Sequence, residues 1–205
     1  MTELKLKTIS FLASGRGSNF EAVAEEIQKG SIKAKAGILI TDKSDALCLS
    51  KADKLGIDSL FVDPKKYSTK QEHEEEIIRH LENYGTDLVV ACGYMRLLSP
   101  FFINRYKNRI INIHPSLLPA FPGKNGQKQA IDYGVKITGC TTHFIDEGTD
   151  TGPIIMQSAV PVFANDTVET LSSRILIEEH KILAQSVHLF CEDRLIVEGR
   201  KVIIK

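Results

Sequence analysis

Short, uninterrupted apolar runs alternate with helically spaced apolar stripes through most of this chain. Residues 8–13 form an apolar run that stops at Ser14-Gly15-Arg16-Gly17-Ser18-Asn19. Residues 20–29 follow with Phe20, Val23, Ala24 and Ile27 on one helical face and Gly30 as a stop signal. The same reading predicts strands at 36–40, 59–62, 88–92 and 110–114. It predicts helices at 46–55 and 69–84 and a short one starting near Ser99-Pro100, with Ile77, Ile78 and Leu81 as the buried stripe of the second. Strands that are apolar on both faces and alternate with helices imply a parallel sheet covered on both sides.

The rhythm changes after His114. Pro115, Pro119, Pro122 and Gly123 mark an irregular stretch, followed by a short helix at 127–133. Strands at 137–145 and 154–160 flank the loop 146–153, a long helix spans 167–190, and the tail alternates around Gly199 as a terminal hairpin. No repeat, low-complexity segment or linker interrupts the pattern. The expectation is one α/β domain over residues 1–205, a Rossmann-like, mostly parallel sheet with a long C-terminal helix and a hairpin.

Composition narrows the function classes. With 26 Lys plus Arg against 26 Asp plus Glu, the formal net charge is zero, which gives no electrostatic reason to expect nucleic acid or an anionic membrane as partner. No run reaches the roughly eighteen apolar residues of a membrane span. The first seven residues, Met1-Thr2-Glu3-Leu4-Lys5-Leu6-Lys7, lack the basic-then-apolar pattern of a secretory leader. Cys48, Cys92, Cys140 and Cys191 lie more than forty residues apart, so no C-x-x-C site or dense disulfide framework is expected. A reducing cytoplasm is the expected compartment.

Three stretches carry candidate chemistry. Gly15 and Gly17 let the backbone approach an anion at the start of a helix, where free N–H groups carry partial positive charge. The dinucleotide fingerprint fails at Phe20 and no Walker G-K-[ST] is present, so this loop reads either as a phosphate site or as a tight turn with Ser18 or Asn19 capping the helix. In Asn112-Ile113-His114-Pro115-Ser116-Leu117-Leu118-Pro119, the two-residue period of a strand puts Asn112 and His114 on one face and turns Ile113 to the core. They sit at the carboxyl end of a buried strand, where open α/β sheets bind ligands. An amide can donate to a developing oxyanion and an imidazolium can donate a proton; the bland alternative is a histidine capping a turn. Either X-Pro bond here could be cis. The loop Asp146-Glu147-Gly148-Thr149-Asp150-Thr151-Gly152-Pro153 offers carboxylates that could orient His114 and favour its charged form, or it is a solvated acidic turn with an Asx turn at Asp150. It lacks the spacing of a known metal loop. His143, on the strand before it, reads equally as a hydrogen-bonded core residue. His73, His80, His180 and His188 lie in helical stretches and read as solvent-facing or ordinarily bonded.

Together, Gly15-Arg16-Gly17-Ser18-Asn19, Gly93-Tyr94-Met95-Arg96-Leu97-Leu98, the Asn112–Pro119 stretch and Asp150-Thr151-Gly152-Pro153 resemble the phosphoribosylglycinamide formyltransferases of the folate-dependent formyltransferase superfamily. The resemblance runs in family order over nearly the whole chain. It implies transfer of the formyl group of 10-formyltetrahydrofolate to the glycinamide amine in purine synthesis, on small-molecule substrates and without a metal, by a monomer or homodimer. It places catalysis on Asn112, His114 and Asp150, and the phosphate on Gly17, Ser18 and Asn19. It places further substrate contacts on Leu176, Ile177, Glu178 and Glu179, with Glu179 taking the ribose hydroxyls. The folate falls on Lys70, Met95, Arg96, Leu97 and Leu98, on Asn112, and on Asp146, Glu147, Gly148, Thr149 and Asp150. It divides the domain into a phosphate-binding half to about residue 105 and a catalytic half beyond, and expects a cis peptide before Pro119. Two positions depart from the family: Lys70 stands where some members carry arginine and loses the bidentate fork, and Asn125 stands where a histidine is common, so no role is assigned there. Rival readings are a formyltetrahydrofolate hydrolase, a methionyl-tRNA formyltransferase, or a non-catalytic phosphate-sensing module.

Overall fold

The computed structural model describes residues 6–205; residues 1–5, most of the N-terminus examined for a leader, lie outside the described residues. The first half runs β1 (Lys7–Leu12), α1 (Ser18–Gln28), β2 (Ala34–Thr41), α2 (Leu47–Lys54), β3 (Asp58–Phe61), α3 (Lys70–Asn83), β4 (Leu88–Ala91), α4 (Pro100–Arg105) and β5 (Ile110–His114). The second runs α5 (Gly126–Tyr133), β6 (Ile137–Phe144), β7 (Ile154–Pro161), α6 (Val168–Cys191), β8 (Leu195–Glu198) and β9 (Lys201–Ile204). The expected elements form, with ends moved by a residue or two. The 3₁₀ turn Pro64–Lys66, which starts at a proline and is capped by Asp63, is one the apolar pattern did not announce.

Among the described residues the strands make a single nine-stranded sheet, β3-β2-β1-β4-β5-β6-β7-β9-β8. Strands β3, β2, β1, β4 and β5 are mutually parallel. β6 pairs antiparallel with β5, and β7 with β6. The terminal hairpin extends the sheet, because β9 lies beside β7.

Strand alternation sorts the core onto two faces. Ile9, Phe11, Val90, Ile111 and Ile113 pack with Phe20 and Val23 of α1 and with Leu171, Ile175 and Leu183 of α6. Leu12, Ile40, Val89 and Ile110 pack with Ile77, Ile78 and Leu81 of α3 and with Phe102 and Ile103 of α4. Asn112 and His114 continue the face that Ile110 begins.

The connections leave β1 towards β2 and β3, then return across the sheet to β4 on the other side of β1. Such a reversal opens a crevice at the carboxyl ends of the two central strands. The loops after β1 and β4 meet there: the Ser14 N–H donates to the Gly93 carbonyl (3.2 Å), and the Met95 N–H donates to Ser14 Oγ (2.9 Å). The Leu118–Pro119 peptide is cis, as the resemblance implied. All four cysteines are free thiols.

Candidate active site

The end of β5 presents Asn112 and His114 side by side, and β6 brings His143 opposite Asn112 in register. Asp150 reaches the group from the 145–153 loop in a left-handed conformation, with φ +55°. Its Oδ2 lies 3.2 Å from His114 Nδ1 and accepts the Gly123 N–H at 2.7 Å. The other imidazole nitrogen, Nε2, lies 2.8 Å from the Phe121 carbonyl. Both neighbours are acceptors, so the doubly protonated ring is the form that completes both hydrogen bonds. The turn that carries Phe121 follows the cis proline and is braced from within, where Ser116 Oγ donates to the Ala120 carbonyl. Gly126 leaves the ring room, since a Cβ there would lie 3.4 Å from His114 Nε2 and 3.2 Å from the Pro115 carbonyl.

Asn112 Nδ2 lies 3.1 Å from His143 Nε2, and His143 Nδ1 lies 2.9 Å from the Phe144 carbonyl. A carbonyl only accepts, so Nδ1 carries the proton and Nε2 accepts from the amide. Burial pushes the His143 pKa down and keeps the ring neutral, ahead of the opposing pull from the Phe144 carbonyl and from Asp150. One Asn112 amide hydrogen is thereby engaged, and the other is available to the cavity.

That cavity encloses about 310 Å³. Lys70, Arg96, Leu97, Leu98, Asn112 and the whole Asp146–Asp150 segment line it, so the expected folate residues come together there except Met95, which is 60% exposed and lies outside the lining. The Asx-type contact of the loop belongs to Asp146, whose Oδ1 accepts from the Gly148 N–H (3.1 Å) and Thr151 Oγ1 (2.6 Å); Asp150 instead faces His114. His114 does not form part of the wall: its side chain is 6% exposed and sits behind Asp150 and the Phe121 turn. Among the described residues, no group of three or more His, Cys, Asp or Glu side chains is disposed to hold a metal ion.

The second subsite lies at the start of α1. Gly17 occupies the N-cap position with φ +69°, and neither Ser18 nor Asn19 caps the helix, so the turn reading with a side-chain cap does not hold. The first N–H groups of α1 are left open to an anion. Gly17 is obligatory in this packing, because a Cβ there would meet Cys48 Cβ at 2.5 Å. Asn19 Nδ2 donates to Glu179 Oε2 (2.8 Å), which ties α1 to α6, and Asn19 Oδ1 is buried without a protein partner. Burial raises the Glu179 pKa, opposed by the Asn19 hydrogen bond and the nearby charge of Arg16. The rest of the 176–179 segment does not converge on this point. Ile177 is 57% exposed, and Glu178 accepts from Ser158 Oγ (2.9 Å) and pairs with Lys181 (2.7 Å).

Sequence reasoning left His143 undecided and passed over Tyr94, another residue of the cavity wall. The position of His143, on the strand leading into the acidic loop, was the available signal. Its pairing with Asn112 depends on strand register.

A crevice at the switch point, a helix N-terminus open to an anion and a polar cluster of amide, imidazole and carboxylate define a group-transfer enzyme of the α/β class. The chain belongs to the formyl transferase family, whose pattern matches residues 7–187. It is 43% identical to phosphoribosylglycinamide formyltransferase of Bacillus subtilis over 86% of this chain and 90% of that one. It is also 42% identical to the trifunctional purine biosynthetic protein adenosine-3 of Bos taurus over 90% of this chain, which spans only 18% of that relative's length. The crystal structure of glycinamide ribonucleotide transformylase 1 from Symbiobacterium toebii superposes with a TM-score of 0.97 at 45% identity, covering 98% of this chain and 95% of that one.

Proposed function

We propose that this protein transfers the formyl group of 10-formyltetrahydrofolate to the amine of N1-(5-phospho-D-ribosyl)glycinamide, giving the N-formyl product and tetrahydrofolate in purine biosynthesis. The observation that carries the reading is the pair of contacts Asp150–His114 (3.2 Å) and Asn112–His143 (3.1 Å) at the end of β5, between an enclosed cavity and an open helix N-terminus. The family membership and the names of the similar proteins support it. Gly17, Ser18 and Asn19 hold the phosphate, and Glu179 with Asn19 takes the ribose hydroxyls. Lys70, Met95, Arg96, Leu97, Leu98 and the 146–150 segment hold the folate. The two-half division of the single domain is then only approximate, since Glu179 serves the phosphate side and Lys70 the folate side. The protein works in the cytoplasm on small molecules, as a monomer or homodimer, with the folate as co-substrate.

The amine nitrogen attacks the formyl carbon; a C–N bond forms and the carbonyl becomes an oxyanion. Asn112 donates its free amide hydrogen to that oxygen, and the neutral His143 fixes which end of the amide faces it. His114, held as imidazolium between Asp150 and the Phe121 carbonyl, contributes positive charge from behind. Asp150 Oδ1, the oxygen not bonded to His114, accepts the amine proton. The C–N bond to the folate then breaks, its electron pair stays on the folate nitrogen, and that nitrogen takes up the proton.

The test is a single assay of the purified protein with both substrates, following tetrahydrofolate and N-formyl product together. Stoichiometric formation of both is expected. Binding of the phosphorylated substrate without product would return the protein to the phosphate-sensing reading, and release of formate would make it a hydrolase.

A further inference from the structure

The segment between β4 and α4 forms one wall of the folate cavity, and its main-chain support is sparse. Among the described residues, no backbone N–H of Arg96, Leu97 or Leu98 donates to a protein acceptor. The segment is held at its two ends by side-chain oxygens. At one end the Met95 N–H donates to Ser14 Oγ, which itself donates to Asp42 (2.6 Å). At the other end, immediately after Leu98, the Ser99 N–H donates to Glu74 Oε1 at 2.9 Å and the Ser99 hydroxyl donates to Glu74 Oε2. Ser99 Oγ also accepts the Phe102 N–H and so caps α4.

Glu74 is an unusual choice for a purely structural role. It stands on α3 with its side chain 3% exposed, and its counter-ion is Lys70, 3.8 Å away and one helical turn earlier. Burying a carboxylate with one partly exposed partner at that distance is an expensive way to join two helices, and an apolar contact would do it better. The geometry fits another purpose, because one carboxylate holds two elements of the cavity wall. It restrains Lys70 from one side and fixes the end of the 95–98 segment from the other.

We propose that Glu74 is a positioning residue for the formyl donor: it sets the rim Arg96–Leu98 and the Lys70 ammonium in the places the folate uses. This rests on the function proposed above. Glu74 does not touch the reacting atoms, so its effect belongs to folate affinity. Glu74→Gln keeps the size and one acceptor for the Ser99 N–H. It removes the charge opposite Lys70 and puts an NH₂ group against the Ser99 hydroxyl. Leaving one buried polar group poorly matched corresponds to a loss of about 5- to 100-fold in affinity.

The expected result for Glu74→Gln is a rise in KM for 10-formyltetrahydrofolate within that range. KM for the phosphoribosyl substrate should stay within about twofold, kcat should change far less than KM, and amide hydrogen exchange should be faster at residues 95–98. A folate KM equal to wild type, or an equal loss on both substrates with a lowered Tm and unchanged exchange at 95–98, would overturn the proposal. Calorimetric titration with tetrahydrofolate needs no turnover and separates the two readings. A wild type that binds tetrahydrofolate but transfers no formyl group counts against the reaction alone. Wild-type tetrahydrofolate affinity in Glu74→Gln counts against the role of Glu74 alone.

Discussion

Gly17→Ala tests the phosphate loop most directly, because two separate structural penalties fall on one methyl group. The backbone at Gly17 has φ +69° and ψ +24°, a left-handed conformation that costs a residue with a Cβ about 1–2 kcal/mol. The new Cβ would also sit 2.5 Å from Cys48 Cβ and 2.9 Å from Cys48 Cα. Neither is the far end of a flexible side chain, so the loop or α2 must move, an overpacking cost of roughly 1–3 kcal/mol. The sum is about 2–5 kcal/mol against a total stability of roughly 5–15 kcal/mol. For a domain of this size that is a fall in Tm of roughly 4–20 °C. Displacing Gly17 also moves the first N–H groups of α1, so KM for the phosphorylated substrate should rise by at least tenfold while the folate KM changes little. Thermal denaturation and two-substrate kinetics read both effects. A double-mutant cycle locates the cause: Cys48→Gly removes the nearest atom and should recover about 1–3 kcal/mol in the Gly17→Ala background, whereas Cys48→Ala keeps that Cβ and should recover almost nothing. A Gly17→Ala protein with wild-type Tm and wild-type KM for the phosphorylated substrate would refute the reasoning.

Two further substitutions separate charge from shape. Asp150→Asn can keep the acceptor for the Gly123 N–H and for His114 but removes the negative charge beside the imidazole, so kcat should fall by roughly 10²–10⁴ with a smaller change in folate KM; turnover near wild type would make Asp150 a turn residue only. Glu179→Gln concerns stability and pH. Burial raises the folded-state pKa of Glu179 above the unfolded value, so the folded protein binds that proton more tightly and loses stability as pH rises from the unfolded value through the folded one. Glu179→Gln should therefore melt higher than wild type at pH 8, with the gap closing towards pH 4, while KM for the phosphoribosyl substrate rises. An equal Tm difference at both pH values would show that the buried charge is not the cause.

Local patterns determined much of this protein. The two-residue period put Asn112 and His114 on one face and Ile113 in the core, and the helical stripe at Phe20, Val23 and Ala24 turned α1 onto the sheet. Glycines before that stripe marked a loop open to an anion. Each of these is a statement about neighbours along the chain, and a backbone of fixed period carries it without knowledge of the rest. Residues brought together by pairing were decided only in three dimensions. His143 meets Asn112 because β6 runs antiparallel to β5 in one register, and a shift of one residue would turn it to the other face. The terminal hairpin joins the sheet because β9 finds the edge of β7. His114 reads along the chain as a group facing the ligand, yet the turn after the cis proline and the return of the 145–153 loop enclose it between two acceptors. Glu74 reads as one more acid on a charged helix. Only the packing of α3 against the start of α4 buries it and directs it at Ser99. Burial and partner are properties of the assembled chain, because they depend on what the far segments exclude water from and on which donors they leave in reach.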